Sequence, residues 1–284
     1  MRPILFDLPL PGGLHLAFPA YGTFLVLGML AAVWVSGQHG RALGLSRLDA
    51  FDLGLWLLAG GVLGAHLLHV ALEPSAYFLE GPAAGLKRFA ELWRGGLAYY
   101  GGLAAAFPVL WLWGRRRRLP YVELLDFVAP LGALGLAITR MGCFLNGCCF
   151  GAPSALPWAV SFPPDSFAHR QQAAVGLIGP GAGALPVHPV QLYELAAALL
   201  IFALLWARFP RRRRPGEVVV AFGFLYGLWR LFAETLRADD PGWRPGSLGP
   251  TPNQWLSLAF IALAGVGWWA VRRTPRRSAQ PPTA

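Results

Sequence analysis

Lysine is almost missing from this chain of 284 residues: Lys87 is the only one among 24 basic residues. Charge of either sign is scarce, at 13% against 55% hydrophobic, which excludes a soluble domain of this length. The net excess of +10 does not point to nucleic acid, because the arginines fall in separated short clusters and not along one face. The three cysteines all lie between residues 143 and 149, so no disulfide framework crosses the chain. The first twenty residues lack a continuous apolar core and carry Pro3, Asp7, Pro9, Pro11 and Pro19. That pattern argues against a cleavable leader and leaves the first membrane helix to direct insertion. A multi-pass membrane protein is what these absences leave.

A hydrocarbon core about 30 Å thick needs roughly 20 apolar residues per helix. Windows near that length predict seven helices, over 19–37, 51–72, 96–113, 121–139, 189–207, 216–236 and 254–271, in one integral membrane domain spanning 1–284. The fold class expected is all-α. Two Gly-Gly pairs, Gly95-Gly96 and Gly101-Gly102, open the third window and invite close helix approach. Trp268-Trp269 end the seventh like an interfacial belt.

The arginines set the expected orientation. Arg41 and Arg47, Arg115 to Arg118, Arg208 with Arg211 to Arg214, and Arg272, Arg273, Arg276 and Arg277 each follow an odd-numbered window. The positive-inside rule places that side in the cytoplasm, with the N-terminus outside and the C-terminus cytoplasmic. Three polar stretches then face outward: Glu73 to Arg94, the long Pro- and Gly-rich loop 140–188, and Arg237 to Pro252 with a turn at Asp239-Asp240-Pro241-Gly242. Loops that long are usually functional or disordered.

The stretch Arg140-Met141-Gly142-Cys143-Phe144-Leu145-Asn146-Gly147-Cys148-Cys149-Phe150-Gly151 stands where the fourth window leaves the bilayer. An arginine there is costly without a partner, and two readings stand: a functional cation, or one that snorkels to lipid headgroups. His188-Pro189-Val190-Gln191-Leu192-Tyr193-Glu194 carries a carboxylate into the fifth window. In the sixth, Tyr226, Arg230 and Glu234 recur at i, i+4 and i+8, which puts them on one helix face, and Arg237 extends it. An internal Arg230–Glu234 pair explains part of this. Arg140, Arg230 and Arg237 still outnumber the embedded Glu194 and Glu234, and a guanidinium fork matches phosphate oxygens. Tyr99-Tyr100 read equally as belt residues, and His66 and His69 as buried neutral histidines. The cysteines read first as small buried hydrophobes. A disulfide from Cys143 is a second reading, and a metal site a third. Against the metal, the spacing lacks a C-x2-C pair and adjacent Cys148-Cys149 are poorly placed to bind one ion together.

These motifs resemble the prolipoprotein diacylglyceryl transferase family. The resemblance rests on the Arg140 to Gly151 stretch, on His188 to Glu194, and on Phe224-Leu225-Tyr226-Gly227-Leu228-Trp229-Arg230 with Glu234 and Arg237. Asn253-Gln254-Trp255-Leu256-Ser257 is similar to the start of the family's last helix. It implies transfer of the diacylglyceryl group of phosphatidylglycerol to the lipobox cysteine thiol of prolipoproteins, with release of glycerol phosphate. It also implies the bacterial cytoplasmic (inner) membrane, an active site toward the outer face, and three partners: phosphatidylglycerol, the prolipoprotein signal peptide and membrane lipids. No cofactor, metal or nucleic acid enters. With the resemblance in hand, the phosphatidylglycerol-binding set is Arg140, Asn146, Gly151, Glu194, Tyr226, Arg230, Glu234, Arg237, Tyr21 and His188. Arg140 and Arg230 hold the phosphate, Asn146 and Tyr226 orient it, and Glu194 and Glu234 fix the arginines.

The chain departs from the family at the base. Tyr100 stands where a histidine is common, and an unperturbed tyrosine titrates near about 10. Tyr100 then only orients while the arginines ionise the thiol, or His66 or His69 substitutes as the base. His66 itself replaces a usual arginine, Cys143 a usual asparagine, and Cys148-Cys149 a usual Glu-Leu pair. A competing reading is a lipid-binding or transporter-like protein of the same family without the chemistry. A membrane protease lacks any suitable Ser/His or paired-Asp arrangement.

Overall fold

The computed structural model describes residues 2–10, 14–79, 81–91, 96–239 and 250–275. Arg94, Gly95, the turn at Asp240-Pro241-Gly242, Arg276 and Arg277 lie outside the described residues.

The chain opens with a hairpin that an all-α expectation does not include. Strand β1 (Ile4–Leu10) pairs antiparallel with β2 (Leu14–Pro19), with Phe6 opposite Phe18 and Leu8 opposite Leu16. The prolines and Asp7 that rule out a helix here alternate with Ile4, Phe6, Leu8 and Leu10, which is the period of a strand. Among the described residues ten α-helices follow: α1 (Ala20–Ser36), α2 (Arg47–Leu72), the short α3 (Ser75–Phe78) and α4 (Pro82–Ala90), α5 (Tyr99–Arg116), α6 (Tyr121–Asn146), α7 (Phe167–Ala174), α8 (Val190–Arg208), α9 (Glu217–Glu234) and α10 (Pro252–Arg273). Each of the seven apolar windows overlaps one of the longer helices. Among the described residues, four helical spans are long and apolar enough to cross a membrane: Arg47–Leu72, Tyr121–Asn146, Val190–Arg211 and Pro252–Arg273. Their outward faces carry large exposed apolar side chains, among them Trp56, Leu200, Leu263 and Trp269, as a lipid-facing surface does.

The helices fall into two compact units. In residues 36–125, α2 begins at a capping box in which the Ser46 and Asp49 side chains each bond the other's backbone N–H. It packs on α5 through small residues: a Cβ at Gly102 would stand 3.0 Å from the carbonyl of Gly61, and Gly64 and Gly101 are closer still. Such glycines let two helix backbones approach without the drive of excluded water. At the other end of this pair, Trp113 Nε1 donates to Asp52 at 2.7 Å and Arg117 pairs with Asp49.

The second unit comprises residues 1–35 and 126–284. Here α1 crosses α6 where a Cβ on Gly28 would stand 2.9 Å from the carbonyl of Gly135, and α9 meets α10 at Gly227, 2.9 Å by the same measure from Ile261. The expected long loop is partly folded. The polypeptide after α6 brings Phe150, Phe162, Ala168 and Val187 around Ala238 in a small buried cluster. Bridges join Gly151 to Arg237, and Val187 to both Pro153 and Val160.

A carboxylate that the sequence reading passed over organises the opposite end of this unit. Asp126 of α6, fully buried, accepts from the backbone N–H groups of Gly216 at 2.8 Å, Val218 at 3.0 Å and Val219 at 2.9 Å. It thereby supplies a negative charge at the positive N-terminus of α9. Arg212 Nε lies 3.6 Å from Asp126, and its guanidinium stacks 3.7 Å from the Phe209 ring centroid. Arg208 pairs with Glu217 alongside. The arginines after α8 are therefore more than a charge cluster. Asp126→Ala would leave three helix N–H groups and Arg212 without their acceptor, and about 3–5 kcal/mol of stability should be lost. A fall in the thermal unfolding temperature of the detergent-purified protein, smaller for Asp126→Asn, is the outcome that checks it.

Candidate functional site

Helix α8 starts at Pro189 and buries Gln191, Glu194, Ala198, Ile201 and Leu205 along one stripe. Glu194 occupies a place on that stripe where an apolar residue would ordinarily sit, and it is 3% exposed. A carboxylate so buried is tolerable only with cations around it. Three provide this. Arg140 Nε lies 2.7 Å from Glu194 Oε2, Arg230 Nη1 donates to Oε1 at 3.3 Å, and Arg237 Nη1 stands 3.7 Å from Oε1. The three guanidiniums come from α6, from α9 and from the segment after α9, so one carboxylate ties three parts of the chain together.

Each arginine has further contacts. Arg230 Nη2 lies 2.9 Å from Glu234 Oε2, one turn along α9. Glu234 Oε1 accepts from Thr251 Oγ1 at 3.0 Å and Asn253 Nδ2 at 2.8 Å, which fixes it to the start of α10. Arg237 forms a two-pronged pair with Asp239, Nε to Oδ1 at 2.9 Å and Nη2 to Oδ2 at 2.7 Å. Asp239 corrects the expected surplus of cations: with it, the described cluster holds three guanidiniums and three carboxylates. Burial pushes the Asp239 carboxyl up from its ordinary range, against the pull of Arg237. Arg140 differs from the other two, because its Nη1 meets two sulfurs, Cys143 Sγ at 3.8 Å and Cys149 Sγ at 3.5 Å.

Those sulfurs arrive through an unusual turn. Helix α6 runs past the expected boundary at residue 139, through Arg140, to Asn146. There the N–H groups of Gly147 and Cys148 both bond the carbonyl of Cys143, at 2.9 and 3.2 Å. Gly147 and Cys149 take φ values of +77° and +62°. The left-handed form is routine for glycine and costs another residue about 1–3 kcal/mol. Cys143, Cys148 and Cys149 are all free, and their sulfurs lie within 4.8 Å of one another. Neighbouring Cys148 and Cys149 thus stand with Cys143 in one cluster. Hydrogen bonds from the other two thiols hold the Cys149 thiol well below the ordinary cysteine range, and Arg237 and Arg140 act in the same direction. Gln191, fully buried, donates its amide to the carbonyl of Cys148 at 2.7 Å and secures the turn to α8.

Around this centre, Phe150 and Gly151 lie between two other strands of backbone. Gly151 N donates to His188 O at 3.0 Å, and Ala152 N to Leu236 O at 2.8 Å. A Cβ on Gly151 would stand 2.6 Å from that of His188 and 2.7 Å from the Leu236 carbonyl, so only glycine fits.

Over residues 3–270 the chain matches the sequence model of the prolipoprotein diacylglyceryl transferase family. The chain belongs to that family. Three relatives bear the name phosphatidylglycerol–prolipoprotein diacylglyceryl transferase. That of Nitratidesulfovibrio vulgaris is 33% identical over 277 residues, covering 95% of this chain and 94% of the relative. That of Bordetella parapertussis is 35% identical over 265 residues, covering 92% and 93%. That of Aromatoleum aromaticum is 36% identical over 262 residues, covering 89% and 90%.

Within this family member, the structure gathers most of the residues that the sequence singled out. Arg140, Glu194, Arg230, Glu234 and Arg237 form the ion cluster. Tyr226 lies on the α9 face that carries Arg230, stacked on Phe222 at 5.6 Å and near enough to Arg140 to act on its charge. Tyr21 stands at the start of α1, which meets α6 where a Cβ on Gly142 would be 3.1 Å from the Tyr21 Cα. Asn146 ends α6, just before the turn on Gly147. His188 turns to the Tyr193 hydroxyl, 3.4 Å from its Nδ1. That hydroxyl also accepts from Trp158 at 2.7 Å. Gly151 serves by its missing side chain. Asp239, Gln191, Thr251 and Asn253 were not anticipated; the doubled Asp239-Asp240, read only as a turn, was the available signal.

Tyr100, His66 and His69 belong to the other unit. Tyr100 is 41% exposed in the first turn of α5. His66 Nδ1 lies 3.0 Å from the Gly96 carbonyl and Nε2 lies 2.9 Å from the Phe89 carbonyl. His66, 1% exposed, is thus a buried tie between α2 and the polypeptide around α4. His69 Nδ1 meets the Tyr77 hydroxyl at 3.1 Å.

The shared carboxylate makes a sharp expectation. Glu194→Gln should cost about 3–5 kcal/mol, because three guanidiniums lose one counter-charge. Glu234→Gln should cost less, since Arg230 keeps Glu194. Thermal unfolding of the two variants side by side, in the same detergent, reads the difference.

Proposed function

We propose that this chain transfers the diacylglyceryl group of phosphatidylglycerol to the lipobox cysteine thiol of prolipoproteins and releases glycerol phosphate. Family membership over nearly the whole length supports the reaction. The single observation that carries its placement is the pair Arg140 and Arg230, held by one buried carboxylate, Glu194, at 2.7 and 3.3 Å. Two guanidiniums fixed in advance need no reorganisation to meet a phosphate. Charge grows on that phosphate as the glyceryl C–O bond breaks, so the arginines bind the transition state more strongly than the lipid, and this difference accelerates the step. Tyr226 and Asn146 orient the headgroup, Tyr21 borders it, Glu194 and Glu234 hold the arginines, and Gly151 and His188 set the backbone behind them.

The same reading places the chain in the bacterial cytoplasmic (inner) membrane as one integral domain with seven spans. The N-terminus and the turn after α6 face outward, and the C-terminus is cytoplasmic. The arginine clusters support that orientation. Partners are phosphatidylglycerol, the signal peptide of a prolipoprotein, and membrane lipids. Tyr100 and His69 remain with α5 and α2 as the groups nearest in type to a base.

Arg140→Ala and Arg230→Ala should each lower transfer by about a hundredfold or more, the loss expected of a group that stabilises developing charge. The measurement is the mass gain of a lipobox reporter peptide with phosphatidylglycerol in mixed micelles, with insertion and folding checked beside it. Full activity in either variant overturns the assignment. A wild-type protein that binds phosphatidylglycerol without any transfer leaves the non-catalytic lipid-binding reading.

A further inference from the structure

The phosphate site makes no use of the three thiols beside it. Cys143 closes α6, the backbone turns on Gly147, and the left-handed residue Cys149 sends its sulfur back beside that of its neighbour. All three sulfurs come within 4.8 Å of one another. Sulfurs bound to one zinc ion at about 2.3 Å stand roughly 3.8 Å apart in a tetrahedron, so side-chain rotation closes the remaining gap. Carboxylate and imidazole are missing from the donor set, and thiolates alone select zinc or copper(I) over magnesium and calcium. Three thiolates around a divalent ion carry one net negative charge. Arg140 Nη1, 3.8 and 3.5 Å from two of the sulfurs, is placed to balance it. The turn is held from behind by Gln191 on the Cys148 carbonyl at 2.7 Å.

We propose that Cys143, Cys148 and Cys149 bind a zinc ion whose fourth position takes the acceptor thiol. This rests on the transferase reading above. Three protein ligands with one open position is the arrangement of catalytic zinc sites, and a thiol that coordinates the metal is deprotonated outright. The acceptor thiol joins the ion as its thiolate and releases its proton to water. The metal-held sulfur then forms the C–S bond to the glyceryl carbon. The C–O bond to phosphate breaks, and its electron pair leaves on glycerol phosphate, whose new charge Arg140 and Arg230 receive. Nothing is oxidised or reduced. A base is then not required of Tyr100.

Zinc content and cobalt spectra of the full chain, purified in detergent and dialysed against metal-free buffer, test this. About one zinc per chain is expected, and cobalt(II) in its place should give thiolate-to-cobalt charge-transfer absorption. Both should vanish in Cys148→Ser and Cys149→Ser. The wild-type spectrum alone decides the site should those variants fail to fold. Stripping the metal with a chelator should slow transfer by roughly a hundredfold, the scale of losing a positioned base, and added zinc should restore it. A folded wild type without stoichiometric zinc or charge-transfer absorption overturns the proposal, as does a disulfide at Cys143. Full transfer by metal-free protein, with Arg140→Ala inactive, overturns the zinc and leaves the transferase reading standing. Bound zinc with no transfer by the wild type overturns the transferase reading and the acceptor thiol's place with it.

Discussion

Glu194 is the constraint on which the rest of its unit depends. A carboxylate buried to this degree would be expelled or neutralised if it were alone. Here it is retained because Arg140, Arg230 and Arg237 reach it from three directions. The dependence also runs the other way, since none of the three cations is tolerable at this depth without an anion. Long, flexible guanidinium arms are thereby converted into fixed donors. That conversion has a backbone requirement: α6, α8, α9 and the segment 236–239 must all converge within a few ångströms. Gly142 against α1, Gly151 between His188 and Leu236, and Gly227 against α10 are the places where a side chain would prevent it.

Asp126 repeats the same physics at the far end of α6 and α9. There the positive partner is chiefly a helix N-terminus, three backbone N–H groups, with Arg212 as the outer neighbour. Charged groups towards both ends of α6 and of α9 thus tie these two helices into the unit. In a bilayer, where lipid is as apolar as a leucine side chain, such polar ties and small-residue contacts supply what burial of apolar surface cannot.

How far the sequence could be read follows from which forces act locally. The seven long helices were legible because their apolar length exceeds what a loop or strand would carry. The α9 face of Tyr226, Arg230 and Glu234 was legible because helical period needs no tertiary information. The β1–β2 hairpin was missed because its prolines were read only as evidence against a cleavable leader and its period-two alternation was not weighed. Asp239 and Asp126 were missed for a different reason. A single acid in a turn, or near a helix start, has no signature until the chain brings an arginine or a free helix terminus to it. The closeness of the three cysteine sulfurs was not legible from spacing, since the left-handed backbone at Cys149 is invisible in a residue list. His66 shows the converse: both ring nitrogens are committed to carbonyls that only the fold brings near.

The balance of three guanidiniums and three carboxylates bears on which arginine answers an incoming anion. Arg237 is held two-pronged by Asp239, a planar match that an incoming phosphate would have to displace. Arg230 is shared between Glu194 and Glu234. Arg140 alone spends Nη1 on sulfur, at 3.8 and 3.5 Å, and sulfur is a weak acceptor beside a phosphate oxygen. An anion entering this cluster therefore gains most from Arg140 and disturbs least there. On the proposed reading, the headgroup is drawn to the α6 end of the cluster, next to the turn that carries the thiols. Arg237 acts as a fixed counterweight to Glu194. Arg140 is thereby the one residue shared by the ion cluster and the turn, with Nε on Glu194 and Nη1 on the sulfurs.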